Sequence, residues 1–192
     1  MSADHELIEH FVATFGHFDE MRGCEELDPI AKELKAGPSD EFGYFQWHPA
    51  KVSTDVSLLE PIYAKLPARF PPLYEQLVLT YRWAAVYLDR FSLLANPLGS
   101  DLSGLLEQMS RDSAIWNSLR PAGYVQFGRG PDMDYDPVCF DIRVRQKKGE
   151  DYRIVKIDHE EILCNNRVKV VAELAPSFRQ LVADTIAHAD QA

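Results

Sequence analysis

Long apolar runs are absent from this chain. No uninterrupted stretch approaches the roughly 20 residues that a helix needs to cross a bilayer. Met1 to His10 carry acidic groups where a secretion signal would have its apolar segment. Basic residues are scarce as well: 20 Lys and Arg stand against 30 Asp and Glu, a formal net charge of -10. That balance argues against generic phosphate-backbone binding and favours a basic partner. Cys24, Cys139 and Cys164 are odd in number and widely spaced, so they make neither a disulfide framework nor a zinc pattern. A reducing cytoplasm is the expected location. Nucleophile and nucleotide signatures are missing too: there is no Gly-x-Ser-x-Gly, no Gly-x-x-x-x-Gly-Lys and no Gly-x-Gly-x-x-Gly. The fragment Gly128-Arg129-Gly130 is too short to cradle phosphate, and predicts instead a positive-φ turn at the end of a strand. No catalytic residue, metal ligand or cofactor is expected.

Apolar residues are plentiful. At 46% of 192 residues they support a real core, in one domain or one domain with an extension. Leu7, Ile8, Phe11, Val12, Phe15 and Phe18 recur at helical spacing over residues 4–18. A second helix is expected from Glu25 to Lys35, stopped by Gly37-Pro38, and a short strand or packed loop at residues 42–48. Pro71 or Pro72 suits the first turn of a helix running through Leu77, because a missing N–H costs nothing there. Tyr81 to Leu88 reads as a strand, Asn96 to Ser100 as a turn, and Leu102 to Arg120 as a helical pattern ended by Pro121. The aromatics Trp47, Tyr81, Trp83 and Tyr87 read as core before they read as a ligand platform.

From Tyr124 onward the pattern sharpens. Phe140, Ile142 and Val144 alternate with Asp141, Arg143 and Arg145, predicting a strand with one buried face. Gln146 to Asp151 predicts a hairpin connection, and Tyr152 to Ile157 a central strand. Asn165-Asn166-Arg167 turns the chain into a last strand at Val168 to Val171. Pro176 then opens a helix with Phe178, Leu181, Val182 and Ile186 on one stripe. Strands followed by a docking helix make an α+β domain.

The ordered set from Tyr124 to Val182 resembles the SUKH superfamily, the Smi/Knr-like proteins. It comprises an apolar strand with a glycine, the acidic loop Pro131 to Pro137, a strand ending Phe140-Asp141, a strand running into Asp158-His159-Glu160, and a helix opening Ser177-Phe178. Leu66-Pro67 with Pro71-Pro72 is similar to the opening of that family's core, so the resemblance covers roughly Leu66 to Val182. It implies a twisted mixed or antiparallel sheet of about four to six strands packed by helices. Residues 61–192 would form that domain, with 1–60 as an N-terminal helical extension packed on it. The function it implies is a non-catalytic protein-binding module. The first expectation is an immunity protein that occludes a basic toxin, such as a nuclease; a regulatory scaffold is the other family role. No direct contact with nucleic acid or membrane is expected.

The densest polar cluster, Asp132, Asp134 and Asp136 with Tyr135 among them, is the candidate partner-binding site. A calcium loop fails, because Pro137 and Arg143 occupy the positions that need glycine and a bidentate glutamate. A nuclease pairing of Asp132 with Asp141 lacks the usual lysine, which Arg143 replaces. A solvated turn is the bland alternative. Three close aspartates should repel one another, and a cationic partner would relieve that repulsion, with Tyr135 as an aromatic anchor. Asp158-His159-Glu160-Glu161 reads as a helix cap, with Asp158 and Glu161 spaced as a capping box. A metal-dependent hydrolase using Asp132, Asp134 and His159 is the competing reading.

Overall fold

The computed structural model describes residues 3–131, 134–143 and 151–191. The spacing of the N-terminal apolar residues produces α1 (Ala3–Ala13) and the single turn α2 (Phe15–Phe18), which bury Ile8, Phe11 and Phe15. After β1 (Arg22–Cys24), the helix expected over Glu25 to Lys35 is replaced by a turn and the short α3 (Pro29–Glu33), with β2 (Lys35–Ala36) following. Pro29 explains the shortening. It has no N–H to donate, so a helix can begin at it but not run through it. The Asp28 carboxylate accepts from the Cys24 N–H at 2.9 Å and holds the preceding turn. Gly23 acts as a strand residue, not a helix breaker: a Cβ there would lie 2.8 Å from the Phe45 ring.

β3 (Tyr44–Trp47) lies between β1 and β2 in a small antiparallel sheet, so the first sixty residues hold strands as well as helices. Next come β4 (Ala50–Lys51), a 3-10 turn at Val56–Leu59, α4 (Glu60–Tyr63) and α5 (Pro72–Thr80), with Pro72 in the first turn of α5 as expected. The strand expected from Tyr81 to Leu88 is broken into β5 (Tyr81–Arg82), which pairs with β4, and β6 (Val86–Tyr87), which pairs with β7 (Ser92–Leu93). Arg82 accounts for the break. Its buried guanidinium donates to the Val78 and Tyr81 carbonyls at the C-terminal end of α5 and to Thr54, tying that point to the helix. The pattern from Leu102 to Arg120 is two helices, α6 (Ser103–Ser110) and α7 (Ser113–Leu119). Asp112 starts the second by accepting from the Ala114 and Ile115 N–H groups at 3.0 and 3.1 Å.

β8 (Tyr124–Arg129), β9 (Pro137–Asp141) and β10 (Arg153–Ile157) continue the sheet, α8 (His159–Asn165) follows, and β11 (Val170–Ala175) completes it. The six strands lie in the order β11-β10-β9-β8-β7-β6, antiparallel throughout. α9 (Phe178–Ala189) closes the chain, with Ser177 capping it through the Gln180 N–H. The class is α+β. Val144, Arg145 and the hairpin residues Gln146 to Glu150 lie outside the described residues.

Both faces of this sheet are covered. On one face Tyr74 of α5, Phe127 of β8, Phe140 of β9 and Phe178 of α9 all touch, with Phe127 stacked on Phe140 at 4.2 Å between centroids. Phe11 of α1 meets Phe178 edge-on, which joins the N-terminal helix to the same core. On the other face Ile115 and Leu119 of α7 and Ile162 of α8 pack with Tyr124, Cys139, Val155 and Ile157. β9 is therefore buried along its whole length. It shares only Phe140 and Asp141 with the strand expected over Phe140 to Arg145: Ile142 and Arg143 form a turn. Trp47, Tyr81 and Trp83 are core, as their type suggests.

Candidate functional site

β9 ends in a buried ion cluster. The Asp141 side chain is fully enclosed and accepts from the Arg143 N–H, from Nε and Nη2 of Arg143, and from Nε and Nη2 of Arg153, at 2.7–3.2 Å. Burial alone would raise its pKa, but the two guanidinium groups outweigh it and hold the carboxyl below its ordinary value. A carboxylate saturated by two arginines has no lone pair left to offer a metal ion, so the pairing of Asp132 with Asp141 as a nuclease centre loses its second member. Asp132 itself lies outside the described residues.

The acidic loop enters β9 from the other end, and its described carboxylates, Asp134 and Asp136, have partners within the chain. Asp134 accepts from the Asp136 N–H at 2.9 Å and from Lys156 Nζ of β10 at 2.7 Å. Burial works against the Asp134 carboxylate, yet the Lys156 bond and the Asp136 N–H keep its pKa below the ordinary value. Asp136 receives the His159 N–H at 2.9 Å and faces His159 Nδ1 at 2.7 Å. A carboxylate can only accept, so that ring nitrogen carries the proton. Asp158 caps α8 by accepting from the Glu161 N–H at 3.0 Å, as its spacing predicts. Glu161 does not return the bond; it pairs with Arg167 instead.

Repulsion among the aspartates is thus no argument for an outside cation. For Asp134 and Asp136, Lys156 supplies a positive charge and His159 hydrogen bonds, and antiparallel pairing of β9 with β10 brings Lys156 beside the loop. Gly128 and Gly130 do not have positive φ, contrary to the turn expected there. Gly130 is needed for space: a Cβ on it would sit 2.2 Å from the Asp134 carboxyl carbon. Among the described residues of the loop, the exposed one is Tyr135, 54% exposed, with its ring edge-on to His159 at 6.1 Å.

Tyr135 also stands at the wall of a cleft of about 230 Å³ between the loop, α6 and the β6–β7 hairpin. Arg129 at the end of β8, Gln108 of α6 and the neighbouring Arg111 line it, over a floor that includes Leu93 and Leu94. These residues are scattered along the chain, and no spacing rule links them in advance. No protein-family model, curated protein or solved structure matches this chain. Among the described residues no helix is long and apolar enough to cross a membrane.

Proposed function

We propose that this chain is a non-catalytic protein-binding module of SUKH type, an immunity protein that neutralises a toxin by stoichiometric occlusion. The motif order after Tyr124 supports the family. The observation that carries the binding role is the exposed Tyr135 on a loop fastened on both sides, by Asp134 to Lys156 and by Asp136 to His159. An aromatic held ready on a braced loop loses little freedom when a partner covers it, which is the economy that interface anchors use. The acidic net charge of -10 would steer a basic partner in at long range, while Tyr135 sets how long the complex lasts.

The metal-dependent hydrolase reading retains one observation in its favour, a small polar group in which Asp136 contacts His159 and Asp134 accepts from the Asp136 backbone N–H. Within it, Asp134 is bonded to Lys156 and His159 Nδ1 to Asp136, which fits a brace better than a set of free ligands. A regulatory scaffold would use the same surface on a different partner.

The test is to purify the product of the neighbouring reading frame and titrate it with this protein. A one-to-one complex is expected, weakened roughly tenfold or more by Tyr135→Ala with the thermal midpoint unchanged. Charge reversal at Asp134 is a poor probe, since a lysine there would face Lys156 and strain the loop itself. Turnover of nucleic acid, esters or phosphoesters that disappears with Asp132→Ala would overturn the binding reading and promote the hydrolase.

A further inference from the structure

Every arginine side chain among the described residues has a hydrogen-bonded partner except two. Arg22, Arg69, Arg143, Arg153, Arg167 and Arg179 bond carboxylates, and Arg82, Arg90 and Arg120 bond carbonyls or a hydroxyl. Arg111 and Arg129 are the exceptions, and both line the cleft beside the acidic loop. Arg129 is half-buried, and among the described residues no carboxylate pairs with its guanidinium. In a chain carrying ten more acidic than basic groups (30 against 20), an unanswered cation facing a hollow stands out.

We propose that this cleft binds a small organic anion through one carboxylate or phosphate group. A guanidinium offers parallel donors whose fork matches either oxyanion, and two of them facing one cavity supply the charge that an anion needs to leave water. The Gln108 amide and the Tyr135 hydroxyl are further donors in the same wall. Ala85, Leu93 and Leu94 give an apolar floor for the body of the ligand, the usual combination in small-molecule sites. Asp134 also lines the cleft, but its bond to Lys156 neutralises it. The long-range field of the protein repels anions, so binding here would arise from the local donors and not from general attraction.

The experiment is isothermal titration calorimetry of the full chain with inorganic phosphate, adenosine monophosphate and succinate, at ionic strength held constant with chloride. Saturable one-to-one binding of at least one anion is expected, in the millimolar range or tighter. Arg111→Gln/Arg129→Gln should weaken it roughly tenfold or more. Neither guanidinium makes a side-chain bond, so the double variant should keep the wild-type circular dichroism and thermal midpoint in the absence of anion. Arg111→Gln alone, at an exposed position, should already weaken binding measurably. Preference for the phosphates or for succinate identifies the group. No saturable heat with any of the three, or equal affinity in wild type and double variant, overturns the proposal. The assay involves no protein partner, so its failure would leave the immunity reading standing.

Discussion

Asp141→Asn removes one charge from the most tightly bonded carboxylate described in this chain while keeping its shape. The wild-type side chain is fully enclosed and accepts five hydrogen bonds from Arg143 and Arg153, four of them from guanidinium groups. In the variant an amide N–H must point at one of those donors. Breaking a buried pair costs roughly 3–5 kcal/mol when the surviving charge is left stranded. Here the survivors are not stranded: the Arg143 and Arg153 side chains are 47% and 35% exposed and can recover water. The expected loss is therefore near the lower end, about 3 kcal/mol at neutral pH. The loss must also depend on pH with a definite sign. The folded pKa of Asp141 is depressed, so its contribution is complete above the unfolded value of about 3.9 and fades as pH falls through the lower folded value. Urea unfolding followed by the fluorescence of the buried Trp47 and Trp83 reads both effects. Wild type minus variant, measured from pH 7 to below pH 3, cancels other depressed carboxyls such as Glu25, held at about 2 by Lys35, Ser39 and Lys32. A gap under about 0.5 kcal/mol at pH 7, or one that stays constant through the acid range, would refute the reasoning.

Phe178→Ala should cost about 3–5 kcal/mol, because the ring is fully buried and touches Phe11, Tyr74, Phe127 and Phe140. An unchanged urea midpoint would show that this stripe of α9 is not the core. Gly130→Ala should destabilise by about 1–3 kcal/mol by driving the Asp134 carboxyl off Lys156. In an Asp134→Ala background the same change should cost clearly less, and strict additivity in that double-mutant cycle would sink the steric account.

Elements with a long repeat and a chemical start signal could be read in advance. α9 has its apolar stripe, though it starts at Phe178 with Ser177 as its cap and not at Pro176 as expected; α5 has Pro72, and α1 has a run of apolar residues at helical spacing. Of the small N-terminal sheet only β3 was legible, within the short strand or packed loop expected at residues 42–48; β1 and β2, of three and two residues, are shorter than two periods of the strand pattern. β9 misled for a different reason. Alternation normally marks a solvent face, but of the alternating run only Phe140 and Asp141 belong to β9, since the chain turns at Ile142 and Arg143. The second face is in fact covered by α7 and α8, and Asp141 tolerates that burial only through two arginines, one of them on the neighbouring strand. A sequence pattern reports polarity, not whether a polar group has found its partner.

The same limit governs the site. The acidic loop was visible as three aspartates, and composition alone made them look like charge in search of a cation. Lys156 and His159 lie 22 and 23 residues from the groups they bond, and only antiparallel pairing of β9 with β10 puts them there. A basic residue inside an otherwise apolar strand, as in Ile154-Val155-Lys156-Ile157, was the available signal. Arg111 and Arg129 left no such trace, since their significance is that no side chain among the described residues bonds them. Net charge and local charge therefore point in opposite directions on this face. Asp134 and Asp136 have partners inside the chain, whereas among the described residues lining the cleft Arg111 and Arg129, beside an exposed tyrosine, have none. A partner covering Tyr135 must meet that mixed surface, so complementarity there calls for an acidic group opposite the cleft even on a protein that is basic overall.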